Sequence, residues 1–458
     1  MWHHRGVGGT RAVIALLALA AVGLVACGEG NARTESATPT RSPAQAPAPP
    51  RSATAAPAWP TYGGSPSRSG VARGAPATPQ PRRRFEHPLD GQVYAQPLIA
   101  GGRIYVATEN NTVYAFTTGG MLVWRRHLGA PVPGGDLPCG NIDPSGITGT
   151  PAIAHNRLFA VAFLASGHRH QLFGLSLDNG NVAVRARVDP PNPVVEQQRG
   201  ALLVAHGRVY VPYGGLFGDC GPFRGFVVST TERGRAAITY RNPATEAGIW
   251  APAGISAQAA TLLVGTGNGG QGAFGFQNSV IRLSPGLRRL AYWAPTDWAS
   301  LSSGDVDEGS LAPLPVSGGR VLQTGKDGVA NLLRPGLGGV GGEQFADRLC
   351  DGGAFGAAAF RAPLAIVPCG GSLHALRLAG DRFDVAWTSD SDAVVPIVVG
   401  NSVFGITRDG TLDQLSLDDG HTIDSTEVGA GATSFPAPAA AGDTLAVPAG
   451  DKLVVFSI

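Results

Sequence analysis

Apolar and polar residues alternate with a period of two in short runs along most of the chain, and turn residues separate the runs. The clearest example is the stretch 91–128, GQVYAQPLIAGGRIYVATENNTVYAFTTGGMLVWRRHL. Its runs 93–99, 103–107, 112–116 and 122–127 are rich in β-branched and aromatic residues and are divided by Gly-Gly, Glu-Asn-Asn and Thr-Gly-Gly. Alternation bounded by turn residues predicts strands joined by tight connections, so the stretch reads as a four-stranded antiparallel meander. A sheet of this size has two faces to bury, which predicts copies of itself on either side.

The pattern recurs in decaying form from positions 147, 200, 249, 310, about 355, 394 and 434. The last copy reaches Ile458 without a fourth strand, whereas the run 83–89, RRFEHPL, precedes the first copy and occupies the place of one. Pairing that run with the carboxy-terminal LVVFSI would close a ring and remove an exposed sheet edge. Dividing 91–458 by eight gives about 46 residues per copy, within the span of propeller blades. The expectation is an all-β protein, an eight-bladed β-propeller of four-stranded antiparallel blades closed by its terminal strands. Seven longer blades are the alternative, and they leave one first-strand signal unexplained. The dipeptides Gln96-Pro97, Thr150-Pro151, Ala251-Pro252, Ala312-Pro313, Val395-Pro396 and Phe435-Pro436 recur near first strands, where proline is tolerated.

In a meander blade, the connection between strands two and three emerges on the same face as the link to the next blade. The other connections are mostly tight here, as at Gly101-Gly102, Asn179-Gly180 and Asp419-Gly420, whereas the stretches 129–146, 189–199, 213–224, 266–278 and 294–309 are long. Long loops gathered on one end of a rigid scaffold are where binding sits, so that face is the expected functional surface, for a protein partner or a small-molecule ligand.

Composition narrows the class further. Charged residues make up 15% of the 458 and the formal net charge is +2, which gives no electrostatic footprint for nucleic acid. Residues 1–26 carry basic, apolar and small residues in the order of a secretory signal. Residues 27–58 are rich in Ala, Pro, Ser and Thr and read as a disordered tether, with the propeller assigned to 59–458. Of the five cysteines, Cys139, Cys220, Cys350 and Cys369 fall on the long-loop face. An exported chain makes disulfides the expectation, and the economical one of three connectivities is Cys139–Cys220 with Cys350–Cys369. Metal binding is the alternative, without C-x-x-C spacing to support it.

Candidate chemistry is sparse. The segment 265–270, GTGNGG, fits G-x-G-x-x-G nominally, but a strand is expected after it instead of a helix, so no helix amino terminus meets a pyrophosphate. Asp297, Asp305, Asp307 and Glu308 cluster in one link and could coordinate a hard cation or supply a base, with Lys326 projecting from the same face. Solvated loop charge is the competing account. His168 and His170 could bind a metal but lack a third ligand, and exposure to solvent is the plainer expectation. Trp250, Trp293, Trp298, Tyr213, Phe217 and Phe223 lie on or near the long loops and could stack on a ligand or pack blades together. Hydrolytic motifs such as G-x-S-x-G and H-E-x-x-H are missing from the sequence.

The run GGRIYVATENNTVYAF with Tyr105, Ala115, Gly119 and Trp124 resembles the PQQ-like, or quinoprotein-type, propeller repeat. That family includes pyrroloquinoline-quinone (PQQ) dehydrogenases and also quinone-free lipoproteins of outer-membrane assembly machinery. Leu24-Val25-Ala26-Cys27 resembles a bacterial lipobox, which implies Cys27 as the lipidation site, a membrane partner through that anchor and location in the cell envelope; an ordinary signal peptide is the alternative. The glycine-asparagine loop at Asn268 resembles the quinoprotein segment that helps hold Ca2+. By the same resemblance Asp305 and Asp307 would be catalytic, Asn268 and Asp305 metal-binding, and Asn268 and Lys326 cofactor-binding. No vicinal Cys-Cys pair accompanies them, and no partner for the family's calcium-binding Glu is evident. Two functions follow as expectations: a binding or assembly scaffold with a monomeric body, or a calcium- and PQQ-dependent dehydrogenase of alcohols or sugars.

Overall fold

The computed structural model describes residues 56–429 and 435–458; the lipobox-like segment ending at Cys27 and all but the last residues of the tether lie outside them. Eight antiparallel sheets follow one another along the chain, and each corresponds to one repeat. The first is built from Leu98–Ala100, Arg103–Ala107, Thr112–Thr117 and Leu122–His127. Its first strand is shorter than the run 93–99, because the amides of Val93 and Gln96 bond to the Gly450 carbonyl and Thr150 Oγ1 of the neighbouring blades instead of joining the ladder. Arg82–Pro88 pairs antiparallel with Lys452–Ser457, so the eighth blade takes its outer strand from the beginning of the chain and the ring closes.

The sequence explains the joints between blades. Trp124, at the end of blade one, lies over the Asn179-Gly180 turn of blade two and donates its indole N–H to the Leu177 carbonyl at 2.9 Å. Trp387 repeats the contact five blades later, against Gly420 and the Leu417 carbonyl, also at 2.9 Å. A Cβ on either glycine would overlap the indole, and both have positive φ, so glycine is required there for two reasons. Fourth strands also carry a register shift against the third in blades one, two, four, five, six and seven, which increases twist at the rim. Between the third and fourth strands of blade five, Gly339–Val340 reaches back and adds a parallel strand to blade four at Trp293–Ala294.

The amino-terminal part of the body forms a plug. From Trp59 to Ala72 the chain crosses the inner strands and bonds to them in turn: Ile153, Ala257, Phe360 and Val398 donate their amides to the carbonyls of Pro60, Pro66, Ser69 and Gly70, each at 2.7 Å. These inner-strand residues lie toward the tight-turn face, so the plug seals that end of the axis. At its centre Tyr62 packs among Ala201, Ala251, Ala253, Ala312, Ala357 and Ala437, small residues whose size leaves room for one ring. Arg68, 2% exposed, spends its donors on the carbonyls of Ile255, Leu202 and Tyr62 and on Thr61 Oγ1.

Candidate functional site

With the tight-turn end sealed, the axis opens on the long-loop face as a cavity of about 580 Å3. Its walls come from the loop 215–223 of blade three, the segments at Glu246 and Trp250, the glycine-asparagine loop at Asn268, the link carrying Asp305 and Asp307, and Lys326; Asn141, Arg199, Phe355 and Phe435 complete it. The volume falls in the range of small-molecule sites, about 300–1,000 Å3.

Three glycines let the loops of blades four and five approach. A Cβ on Gly267 would overlap the Asp307 carboxylate, one on Gly309 would meet the Thr266 backbone at 2.5 Å, and one on Gly325 would meet Glu308 Cα at 2.6 Å. Asp307 Oδ1 therefore accepts the Asn268 backbone N–H at 2.7 Å, while its Oδ2 lies 2.6 Å from Lys326 Nζ. Lys326 also donates to the Asp305 carbonyl at 3.1 Å and stands 3.4 Å from Asp305 Oδ1. Burial pulls its ammonium down, but Asp307 and Asp305 outweigh that and hold it above its usual range.

Asn268, Asp305, Asp307 and Lys326, the residues given roles by the family resemblance, thus meet at one cavity wall. Asp297 and Glu308 do not: neither lines the cavity, and Glu308, 1% exposed, is pushed well above the carboxylate range by burial and by Asp327 and Asp297. Trp250, Phe217 and Phe223 line the cavity, whereas Tyr213 and Trp293 are wholly buried core and Trp298 opens the one α-helix among the described residues, Trp298–Ser303. His170 corrects the expectation of exposure: it is 2% exposed and stacked on Phe163 at 4.2 Å, so burial drives its imidazole down to about 3.

Three charged groups at the cavity escaped the sequence reading. Arg199 precedes the first strand of blade three, touches the Phe435 ring at 5.1 Å, and makes no hydrogen bond or ion pair among the described residues. Burial lowers its pKa, opposed by Tyr94 and Glu109. Asp219 and Glu246 also lack side-chain partners among the described residues, and Asp219 is raised by burial and then by Asp307 and Asp305. A signal for Asp219 existed in its neighbour: Cys220 is bonded to Cys139 across 81 positions, and this staple fixes the loop that carries Asp219 and Phe217. The second disulfide joins Cys350 to Cys369. Arg199 had no signal, since nothing in a single sequence distinguishes an arginine at the axis from one in solvent.

The residues present do not fit a resident Ca2+ ion, which takes six to eight oxygen ligands. Both Asp307 oxygens are engaged, Lys326 places positive charge beside Asp305, and among the described residues no three His, Cys, Asp or Glu side chains are grouped to hold a metal. What the wall offers is fixed charge of both signs, aromatic surface and the Asn268 side-chain amide.

Eight four-stranded blades, tryptophan joints and a loop-lined axial mouth define a PQQ-like β-propeller. A family model described as outer membrane protein assembly factor BamB matches residues 68–236. Among similar solved structures are the quinohemoprotein alcohol dehydrogenase from Comamonas testosteroni, at 16% identity and TM-score 0.66, covering 88% of this chain and 80% of that one. A europium-containing methanol dehydrogenase matches at 14% identity and TM-score 0.69, covering 88% of this chain and 98% of that one. BamB from Moraxella catarrhalis matches at 13% identity and TM-score 0.58, covering 83% of this chain and 100% of that one. No curated protein sequence matches the chain. At these identities the likeness establishes the fold alone, which enzymes and an assembly factor both have.

Proposed function

We propose that this protein is an exported propeller of the cell envelope, anchored by a lipid at Cys27, that acts as a binding scaffold through its long-loop face. The observation that carries the reading is the cavity itself: a rigid mouth whose Arg199, Asp219 and Glu246 have no partner among the described residues. Arg199 is half-buried, while Asp219 and Glu246 stand exposed at the rim. A half-buried guanidinium without a partner is costly, and a bound group that pairs with it recovers that cost. Asn268→Trp is the test, because Asn268 lines the cavity and an indole there would obstruct part of it. It should leave the melting temperature within about 2 °C and abolish ligand or partner capture. Unchanged capture by this variant would refute the reading.

A second reading, a PQQ-dependent dehydrogenase of alcohols or sugars, is favoured by the convergence of Asn268, Asp305, Asp307 and Lys326 on one wall, but the same residues do not fit the Ca2+ ion that this reading requires. When bound, the quinone would supply the oxidising group. The chain's own part would be to hold Asp307 ionised between the Asn268 N–H and Lys326. Adding PQQ and Ca2+ to the purified protein separates the two readings: a quinone absorption shift with dye reduction on an alcohol or sugar supports the enzyme, and their absence supports the scaffold.

A further inference from the structure

The free charges of the cavity are of opposite sign and sit on separate supports. Lys326 is already neutralised by Asp307 and Asp305, which leaves Arg199 as the open cation and Asp219 and Glu246 as the open anions. Arg199 stands at the axial end, between the cavity and the small polar recess formed by Tyr62, Tyr94, Thr148 and Thr150. Asp219 stands on the disulfide-held loop of blade three. The two line the same cavity yet form no ion pair with each other within 4.0 Å, so space separates them.

A purely anionic ligand would satisfy Arg199 but face the unpaired carboxylates, and a purely cationic one would leave the guanidinium bare. Only a ligand with both charges pairs both ends. Trp250, Phe223, Phe355 and Phe435 supply apolar surface for its uncharged part. Resting on the reading of this cavity as a binding site, we propose that it takes a small zwitterion of the amino-acid type, its carboxylate on the Arg199 guanidinium and its ammonium group on Asp219. The guanidinium fork gives two parallel donors to a carboxylate, and the aromatic walls favour an ammonium group beside them. Both charges are held before binding, Asp219 by its stapled loop and Arg199 by the Phe435 ring, so little ordering remains to be done.

The experiment is a thermal-shift screen of the full chain against the common amino acids. Isothermal titration follows with the strongest binder, its carboxamide and its N-acetyl derivative. Each derivative lacks one charge and should bind at least about tenfold more weakly than the parent, the effect of one charge-assisted hydrogen bond. Arg199→Met should bring the parent and its carboxamide within about twofold of each other, and Asp219→Asn should do the same for the parent and its N-acetyl derivative. Equal binding of either derivative to the unaltered protein overturns the proposal. So does a screen without any binder. If the screen fails while Asn268→Trp still abolishes capture of another ligand, the cavity reading survives and the zwitterion alone is refuted.

Discussion

Replacing Arg68 by methionine removes the central fastening of the plug while keeping side-chain length. The wild-type guanidinium donates to Thr61 Oγ1 at 2.6 Å, Leu202 O at 2.8 Å, Ile255 O at 2.9 Å and Tyr62 O at 3.1 Å. No carboxylate pairs with it among the described residues, and burial pulls its pKa down to about 9. Two opposing terms decide the outcome. Methionine avoids the cost of burying the charge, about 5 kcal/mol for a shift of this size. It also orphans four buried acceptors at about 1–3 kcal/mol each. The middle of that balance is a net loss of about 3 kcal/mol, which lowers the melting temperature of a roughly 400-residue unit by about 4 °C. Hydrogen exchange localises the effect: the amides of Ile153, Ala257, Phe360 and Val398, which bond to the plug, should lose protection, while the amides that hold the outer strand Thr422–Glu427 of blade seven should not. A melting point within about 1 °C of wild type, with those four amides still protected, would refute the claim that Arg68 fastens the plug.

The remaining predictions concern the joints, the cavity wall and pH. Trp124→Ala removes an 8% exposed indole and its bond to Leu177, and should cost about 3–5 kcal/mol in chemical denaturation. Lys326→Met leaves Asp307 buried without its cation and should cost about 2 kcal/mol. Because Lys326 is held above its usual value, its contribution is full below pH 10.5 and is lost as the pH rises through the folded value, so the variant and wild type should converge only in strong alkali. Glu109 runs the other way. Burial raises it to about 7 against bonds from the Gly146 N–H and Thr148 Oγ1, so the folded protein binds a proton more tightly than the unfolded chain. Its contribution is present at acid pH and fades between pH 4.5 and about 7, by up to about 3 kcal/mol, and Glu109→Gln should flatten that slope in melting curves taken across this window. Reducing Cys139–Cys220, which closes an 81-position span, should cost about 4 kcal/mol in the chain-entropy account and weaken ligand binding.

Blade number, ring closure and the two disulfides were legible in the sequence because each leaves a local mark: period-two runs, a spare strand at one end with a missing one at the other, and cysteines confined to one face. The plug was not. Residues 59–72 carry no alternation, since their partners are inner strands of several different blades, and a segment bonded in that way leaves no local period. The site divides along the same line. Asn268, Asp305, Asp307 and Lys326 stand in loops whose glycines and clustered charges mark them, and the fold brings them together. Arg199, Asp219 and Glu246 come from three different connections in blades two to four, and only the closed ring places them around one mouth. His170 went wrong for a related reason: alternation assigns it to a strand face, but only the neighbouring blade, through Tyr213, shows that face to be covered.

On the proposed reading, the cavity on the long-loop face is a binding site whose charges await a ligand. Native mass spectrometry of the full chain, purified from its own host without added ligand, tests it most directly. Wild type should carry a small bound species that is absent from Asn268→Trp, with no dye-linked alcohol or sugar oxidation. Bare-chain mass in both proteins, or release of PQQ together with a metal ion and turnover, would contradict it.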